Sequence, residues 1–397
     1  MEHRSLLSYY ETKNIDPVPI ALNSKEEWRK HLSKRRNLYE LHLGIPLKFL
    51  KDCRVLEFGC NTGENALVLA HFGARLTLVE PHSTQHAPLL SLFEKFDLKQ
   101  QIEILSLSTA EDFQTAETYD LVICENFINC LAKRDDVLRK ICRLISQNGF
   151  GVISYDDNYG SMIEVIRQLL FRHACKLQRT EDLHSETSLT IASLLFSEDF
   201  NRINASRPFS AWWQDVLLNP FVSWRYLWTL PEVLRIIENS GCEYISGSPG
   251  WVDQDRFTWY KNVVDCSVRH RGIIESWKDH FSFFLTGLRI RQGQKLSASN
   301  DVIDATGKFL ASIEDYIADP AKTIESVVFP ETLNCYLSTH RDERIVKFGT
   351  EIKTLFDRLP VLNFEEMIEL YHQTEYLRNL WGTPCQYVCF RRNIPTV

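Results

Sequence analysis

Residues 55–65 read VLEFGCNTGEN. An apolar run ends in the acidic Glu57, turns through Gly59 and Gly63, and opens onto a helix-forming stretch. A strand that passes into a helix through so short a loop needs backbone conformations that glycine reaches at low cost, and it lets the backbone approach a ligand. A dinucleotide fingerprint would place glycine at the first, third and sixth positions. Counted from Gly59, those positions hold Gly59, Asn61 and Glu64. Glu64 at the helix start would also repel a pyrophosphate. The spacing therefore excludes a nicotinamide-dinucleotide oxidoreductase.

Outward from this loop, short apolar runs alternate with helical stretches between Cys53 and Ser154. The runs are RVLEFG, ARLTLVE, QIEILSLS, YDLVICEN and GFGVISY. Each is rich in Val, Ile and Leu without strict alternation, as in strands buried on both faces of a parallel sheet. ENALVLAHFG between the first two is a helix with Gly73 at its C′ position, and DDVLRKICRLISQNG is an amphipathic helix expected to end at Gly149. Repeated units of this size indicate a doubly wound α/β domain.

The loop, written acidic-x-Gly-x-Gly-x-Gly, appears here as Glu57-x-Gly59-x-Asn61-x-Gly63 and resembles motif I of the class I S-adenosylmethionine-dependent methyltransferases. Asn61 stands at the middle glycine, and Asn tolerates the left-handed conformation. Further pieces follow in the family's order. LTLVE ends in Glu80, followed by Pro81, where the family's acidic residue accepts the ribose hydroxyls; a carboxylate suits a vicinal diol. Thr109 and Ala110 stand where the family contacts the adenine, with Thr109 at a place often held by Asp. Glu125 and Asn126 end the fourth run, beneath the methionine part of the cofactor. LISQNGFGVIS is similar to the family's turn into strand five, with Gly149 and Gly151 flanking Phe150. The resemblance implies S-adenosyl-L-methionine as cofactor, held by Glu57, Gly59, Cys60, Asn61, Gly63, Glu80, Pro81, Thr109, Ala110, Glu125 and Asn126. The competing reading is a doubly wound domain whose glycine loop only joins strand to helix.

The expected fold is α/β: a Rossmann-like doubly wound seven-stranded methyltransferase sheet, with six parallel strands and a reversed seventh. It carries an N-terminal helical arm, a helical cap and a C-terminal helical insertion. The expected organisation is an arm and lid helix over 1–49, the cofactor-binding core over 50–155 and a helical cap over 156–228. A core continuation with strand six follows over 229–261, then a helical domain over 262–384 and a returning strand over 385–397. Strand six falls at about 242–249. Strand seven has two candidates, residues 256–261 and residues 386–392, and the second is preferred because QYVCFRR is longer and more apolar.

Specificity should reside in the cap. Its aromatics, Trp212, Trp213, Phe221, Trp224, Tyr226 and Trp228, suit either a stacking pocket for a planar substrate or the cap's own core. Asp156 and Tyr159, just past strand five, and His184 in the cap are the candidates to accept a proton from the substrate nucleophile. An Asp there serves equally well as a helix cap. In the arm, Ser24 and Glu27 form a capping box, and Trp28, His31, Arg35 and Tyr39 share one side of the helix that follows. Arg35 is suited to fork the cofactor carboxylate, which would make this helix a lid. The alternative is an amphipathic helix that only packs on the sheet.

Among the 397 residues, 45 Lys and Arg stand against 52 Asp and Glu, a net charge of -7, so no nucleic-acid partner is expected. A composition 44% hydrophobic and 24% charged is that of a globular protein. The start, MEHRSLLSYYETK, has no apolar leader core, and no uncharged window of about 18 residues suggests a membrane span. The 11 cysteines form no CxxC pair and no HExxH occurs. They read as buried thiols of a reducing cytoplasm, with no metal site. The function expected is methyl transfer to O, N or C of a small-molecule acceptor, in a cytoplasmic enzyme that could form a homodimer through its helical regions. The alternative is a non-catalytic binding or scaffold protein acting through its C-terminal helices. Glu57 and Glu80 together favour a working cofactor site.

Overall fold

The computed structural model describes residues 5–13, 15, 20–203, 208–251, 261, 265–289, 294–319 and 321–393. The chain divides into two units. One comprises Met1–Tyr155, Leu230–Ile274 and Cys385–Val397; the other comprises Asp156–Thr229 and Glu275–Pro384.

The first unit is built on a seven-stranded sheet. Its strands are β1 (Arg54–Phe58), β2 (Arg75–Val79), β3 (Ile102–Ser106), β4 (Tyr119–Cys124), β5 (Ile145–Asp156), β6 (Cys242–Ser248) and β7 (Cys385–Arg392). They lie in the order β3-β2-β1-β4-β5-β7-β6. β1 pairs in parallel with β2 and β4, β2 with β3, and β4 with β5. β7 runs antiparallel to β6, with Cys242 opposite Arg392 and Ser248 opposite Tyr387. The preferred C-terminal segment is thus the reversed strand; the other candidate, 256–261, lies outside the described residues except for Lys261. Because β2 and β4 flank β1 on opposite sides, the strand order reverses at β1, and the crevice of a doubly wound sheet opens at its carboxyl end.

Four of the five apolar runs form the core; the third, which holds β3, lies at the sheet edge, with Ile104 and Leu107 exposed, because only one side of it is covered by a neighbouring strand. Val55, Leu67, Leu76, Leu78, Ile123, Val152 and Cys389 are buried in one cluster with Tyr39 and Leu43 of the arm. The arm helix, Lys25–Arg36, starts at the Ser24–Glu27 capping box. It continues into a wider turn over Asn37–His42 that carries Tyr39 into the core. One expectation needs correcting: the helix Arg134–Leu144 stops well before Gly149. β5 begins at once, pairs Ile145 with Tyr119, then shifts register so that Phe150 faces Leu121. The left-handed residue in that irregularity is Asn148, at φ 63.

The second unit is helical. Its longer helices are Met162–Leu177, Glu186–Asn201, Asn300–Ala318, Glu343–Arg358 and Phe364–Gln373. Ser185, Ser299 and Asp342 cap three of them, and Asn363 with Glu366 closes a capping box on the last. Trp212, Trp213 and Trp228 are buried, as are Phe196, Phe281 and Phe309, so much of the aromatic density serves as this unit's core.

Candidate functional site

The site grows from the end of β1. Gly59 at φ 68, Asn61 at φ 47 and Gly63 at φ 85 turn the chain through the left-handed region. The Gly59 N–H donates to the Val79 carbonyl at 2.8 Å, which ties the loop to the end of β2. A side chain at Gly59 would collide with the Phe127 ring, and one at Gly63 would come within 3.0 Å of Leu89. The helix Glu64–His71 begins directly after Gly63. At its start the Thr62 hydroxyl donates to the Glu64 carboxylate, and burial raises the Glu64 pKa.

Glu80 follows β2 and is buried. Its two carboxylate oxygens accept from the Asn61 N–H at 2.7 Å and the His82 N–H at 2.9 Å. Burial raises its pKa while these donors hold it down. Each oxygen retains a further lone pair, so the carboxylate is positioned and still able to accept.

Glu125 follows β4, and Arg35 reaches it from the arm with a two-point fork of 2.6 and 2.9 Å. Asn65 at 3.3 Å and the Tyr387 hydroxyl at 3.4 Å also donate to Glu125. Arg35 donates to the Tyr39 hydroxyl at 3.1 Å, and its Nε–H has no acceptor. Burial pushes the Tyr387 hydroxyl up, with the neighbouring Glu125 charge adding to it. His31 packs in the same place, its Nε2 at 3.0 Å from the Glu64 carbonyl, and burial lowers its pKa.

Glu57 completes the group. It is 4% exposed, and its Oε2 has no hydrogen-bond partner. Burial first, then repulsion from Glu125 and Glu80, push its carboxyl from 4.5 to about 8, against the pull of Arg35. Three carboxyls thus stand with one guanidinium in a buried place, one of them unpartnered. Such a site fits a ligand that brings positive charge and hydrogen-bond donors.

Glu57, Gly59, Cys60, Asn61, Gly63, Glu80, Glu125 and Arg35 are therefore placed around the carboxyl ends of β1, β2 and β4. Pro81 follows Glu80 directly. Thr109 spends its hydroxyl on a local turn with Asp112, at 2.8 Å, and Ala110 beside it is buried. Asn126, at φ 66, ties the ends of β4 and β5 through Ser154, whose hydroxyl donates to its Oδ1 at 2.7 Å. Asp156 closes β5, and its carbonyl accepts from the Trp228 N–H at 3.1 Å. Tyr159 is buried against Phe281, Trp277 and Trp224, with ring centroids at 5.0, 5.7 and 6.0 Å. His184 is half-buried with its ring 6.4 Å from Trp213. These last three belong to the second unit.

Asn65, Phe127, Ser154 and Tyr387 also border the site, and no reading of the sequence singles them out. Among the described residues, no group of three or more His, Cys, Asp or Glu could hold a metal ion, and no helix is long and apolar enough to cross a membrane.

A family model described as a methyltransferase domain matches residues 26–246. No curated protein matches the chain. Among solved structures, the CcbJ methyltransferase from Streptomyces caelestis is 19% identical over 33% of this chain and 51% of its own, with a TM-score of 0.28. The chain thus spans about half of that protein's length. The N-methyltransferase NodS from Bradyrhizobium japonicum WM9, solved with S-adenosyl-L-homocysteine, is 17% identical over 38% of this chain and 74% of its own, at a TM-score of 0.30. PKMT2 from Rickettsia typhi is 16% identical over 54% of this chain and 42% of its own, at 0.38.

Proposed function

The chain belongs to the class I methyltransferase family, whose cofactor is S-adenosyl-L-methionine, and on that premise we propose that it methylates a small-molecule acceptor by in-line displacement. The bound cofactor supplies an electrophilic methyl on a sulfonium. The chain's own residues supply position, and most of the rate comes from holding nucleophile and methyl in line.

The residues present suit the group. Glu80, already fixed by the Asn61 and His82 amides, accepts the ribose hydroxyls. Gly59 and Gly63 let the backbone come close, with Cys60 and Asn61 completing the loop. Pro81, Thr109 and Ala110 flank the adenine. The unpartnered Glu57 carboxyl accepts from the ammonium of the methionine part, and Arg35 offers its unused Nε–H to the carboxylate. Glu125 and Asn126 border that part of the site. Asp156, at the end of β5, is the first choice to take the proton of the acceptor nucleophile.

The observation that carries this reading is the buried Glu57 carboxyl without a partner among two other carboxyls. Isothermal titration of the full chain with S-adenosylmethionine and S-adenosylhomocysteine tests it. Both should bind, and Glu57→Gln should weaken both. Absence of heat for either at millimolar concentration would leave the chain a binding or scaffold protein on a methyltransferase fold.

A further inference from the structure

A second buried charge lies in the helical unit. Arg167, on the helix Met162–Leu177, is 0% exposed. Its Nη2 donates to the carbonyls of Leu380 at 3.0 Å, Leu377 at 3.1 Å and Arg378 at 3.4 Å. Its Nε reaches the Tyr371 hydroxyl at 3.5 Å. Among the described residues no carboxylate pairs with it directly, and Nη1 has no acceptor at all. The guanidinium lies 3.7 Å over the Trp381 ring. That indole N–H is buried without an acceptor, and so is the indole N–H of Trp212, whose ring is 5.7 Å from Trp381. Phe200 and Phe209 pack on Trp212 at 5.5 and 5.6 Å.

The carboxylates nearby are already committed. Asp199 accepts from Arg378 Nε at 2.8 Å and from the Tyr371 hydroxyl at 2.6 Å. Glu198 is shared by Arg378, at 2.6 Å, and Arg202. Glu351 accepts from the Glu375, Tyr376 and Leu377 amides. Arg167 itself therefore meets only neutral acceptors, three carbonyls and a hydroxyl, although it is fully buried. An uncompensated buried cation costs several kcal/mol, and each unmet N–H costs about 1–3 kcal/mol more. A cation, its unused N–H and two idle indole donors are what an anion needs.

We propose that Arg167, Trp212 and Trp381 form a binding site for the carboxylate of an apolar organic acid. Arg167 Nη1 and the two indole N–H groups donate to the carboxylate oxygens. The single guanidinium charge of Arg167, held by neutral acceptors alone, matches a singly charged carboxylate; a phosphate, carrying about −1.5 to −2 at neutral pH, would overshoot it. Phe200, Phe209 and the indole faces provide an apolar wall for the body of the acid. The site stands independently of methyl transfer, so it can be tested on the full chain without cofactor.

The test follows the indole N–H resonances of the 15N-labelled full chain by nuclear magnetic resonance. The probes are sodium benzoate, sodium acetate and inorganic phosphate, at constant ionic strength. Trp212→Phe and Trp381→Phe each identify one resonance and delete one donor while keeping a ring. The expected result is that benzoate moves both resonances along one saturable curve, and that acetate moves them more weakly. Trp381→Phe should weaken benzoate about fivefold, on the order of the net worth of one hydrogen bond. Arg167→Lys, which keeps the charge and loses the fork, should weaken it at least tenfold; should that variant not fold, the two Trp variants decide alone. Unmoved resonances at benzoate concentrations of about 10 mM, well above a millimolar dissociation constant, would overturn the proposal. So would equal affinity in all variants, or a response to phosphate in place of benzoate.

Discussion

The two units bury charge of opposite sign. In the sheet unit three carboxyls crowd one guanidinium, and the one left over, Glu57, is pushed toward its neutral form. In the helical unit a fully buried guanidinium, Arg167, is held only by carbonyls and a hydroxyl, and it has no neutral form to retreat to. A buried acid can relieve its position by taking a proton, so the sheet unit tolerates an empty site cheaply. A buried guanidinium cannot, and only an anion or an unmet cost remains. The same imbalance thus appears as a pKa shift in one region and as idle donors in the other.

The largest effect should come from disturbing the compensated part of the helical unit. Asp199→Asn strips Arg378 and Tyr371 of a fully buried partner, a loss of about 3–5 kcal/mol. Calorimetry should show the melting midpoint lowered by roughly 10 °C. A small shift would mean that Glu198 alone neutralises Arg378 and that the charge contrast between the units is overstated.

Glu57→Gln should act in the other direction. The folded carboxyl titrates near 8 and the unfolded one near 4.5, so between those values the native state binds more protons than the unfolded state. Stability from this group is whole below pH 4.5 and is lost as pH rises toward 8. At pH 7 the loss is about 3 kcal/mol, at about 1.4 kcal/mol per unit. The variant should therefore gain on the wild type by that amount between pH 4.5 and 7, in denaturant titrations at each pH. A constant difference across the range would show that Glu57 is ionised in the native state.

Glu80→Ala releases the Asn61 and His82 amides, so it should lower stability by about 1–3 kcal/mol and, in the folded protein, weaken S-adenosylmethionine by about 1–3 kcal/mol, roughly five- to 150-fold. An unchanged dissociation constant in calorimetry would move the ribose elsewhere. Asn363→Ala, at the capping box of Phe364–Gln373, should cost about 1 kcal/mol and leave cofactor affinity alone. A fall in affinity with it would show that the two units are energetically coupled.

The legible parts of the molecule were those whose signal is local. β1 to β5 each announce themselves by an apolar run bounded by a turn. Glu57, Glu80 and Glu125 are legible because each ends such a run or follows it by one residue. Tyr387 is not, because its place beside Glu125 depends on which strand lies next to β5 and in what register, and nothing near residue 387 encodes that. Asn65 lies two residues from Gly63, yet its contact with Glu125 depends on the rotational phase of its helix. Gly149 was expected to end a helix because glycine is the usual stop; Asn148 took the left-handed role instead, inside an irregular strand start. In the helical unit the caps were readable, as Asn363 and Glu366 show. The network around Arg167 was not, because Arg167 and Tyr371 are distant in the chain and an arginine on an amphipathic helix ordinarily reads as solvent-facing.

The position of β7 has a consequence for how the chain comes into being. The last strand lies between β5 and β6, so β6 has no partner in the sheet until Cys385–Arg392 arrives. At a synthesis rate of about 5–20 residues per second, the ribosome needs on the order of ten seconds to travel from Ser248 to Cys385. Throughout that interval a nascent β6 presents an open edge, the kind of template that invites wrong pairing. β1 to β4 have no such wait, since all their partners are made once β5 emerges; β5 keeps one edge open until the same strand arrives. The sheet should therefore form in two instalments, and a chaperone that shields β6 during elongation should raise the yield of native chain more than one supplied after release.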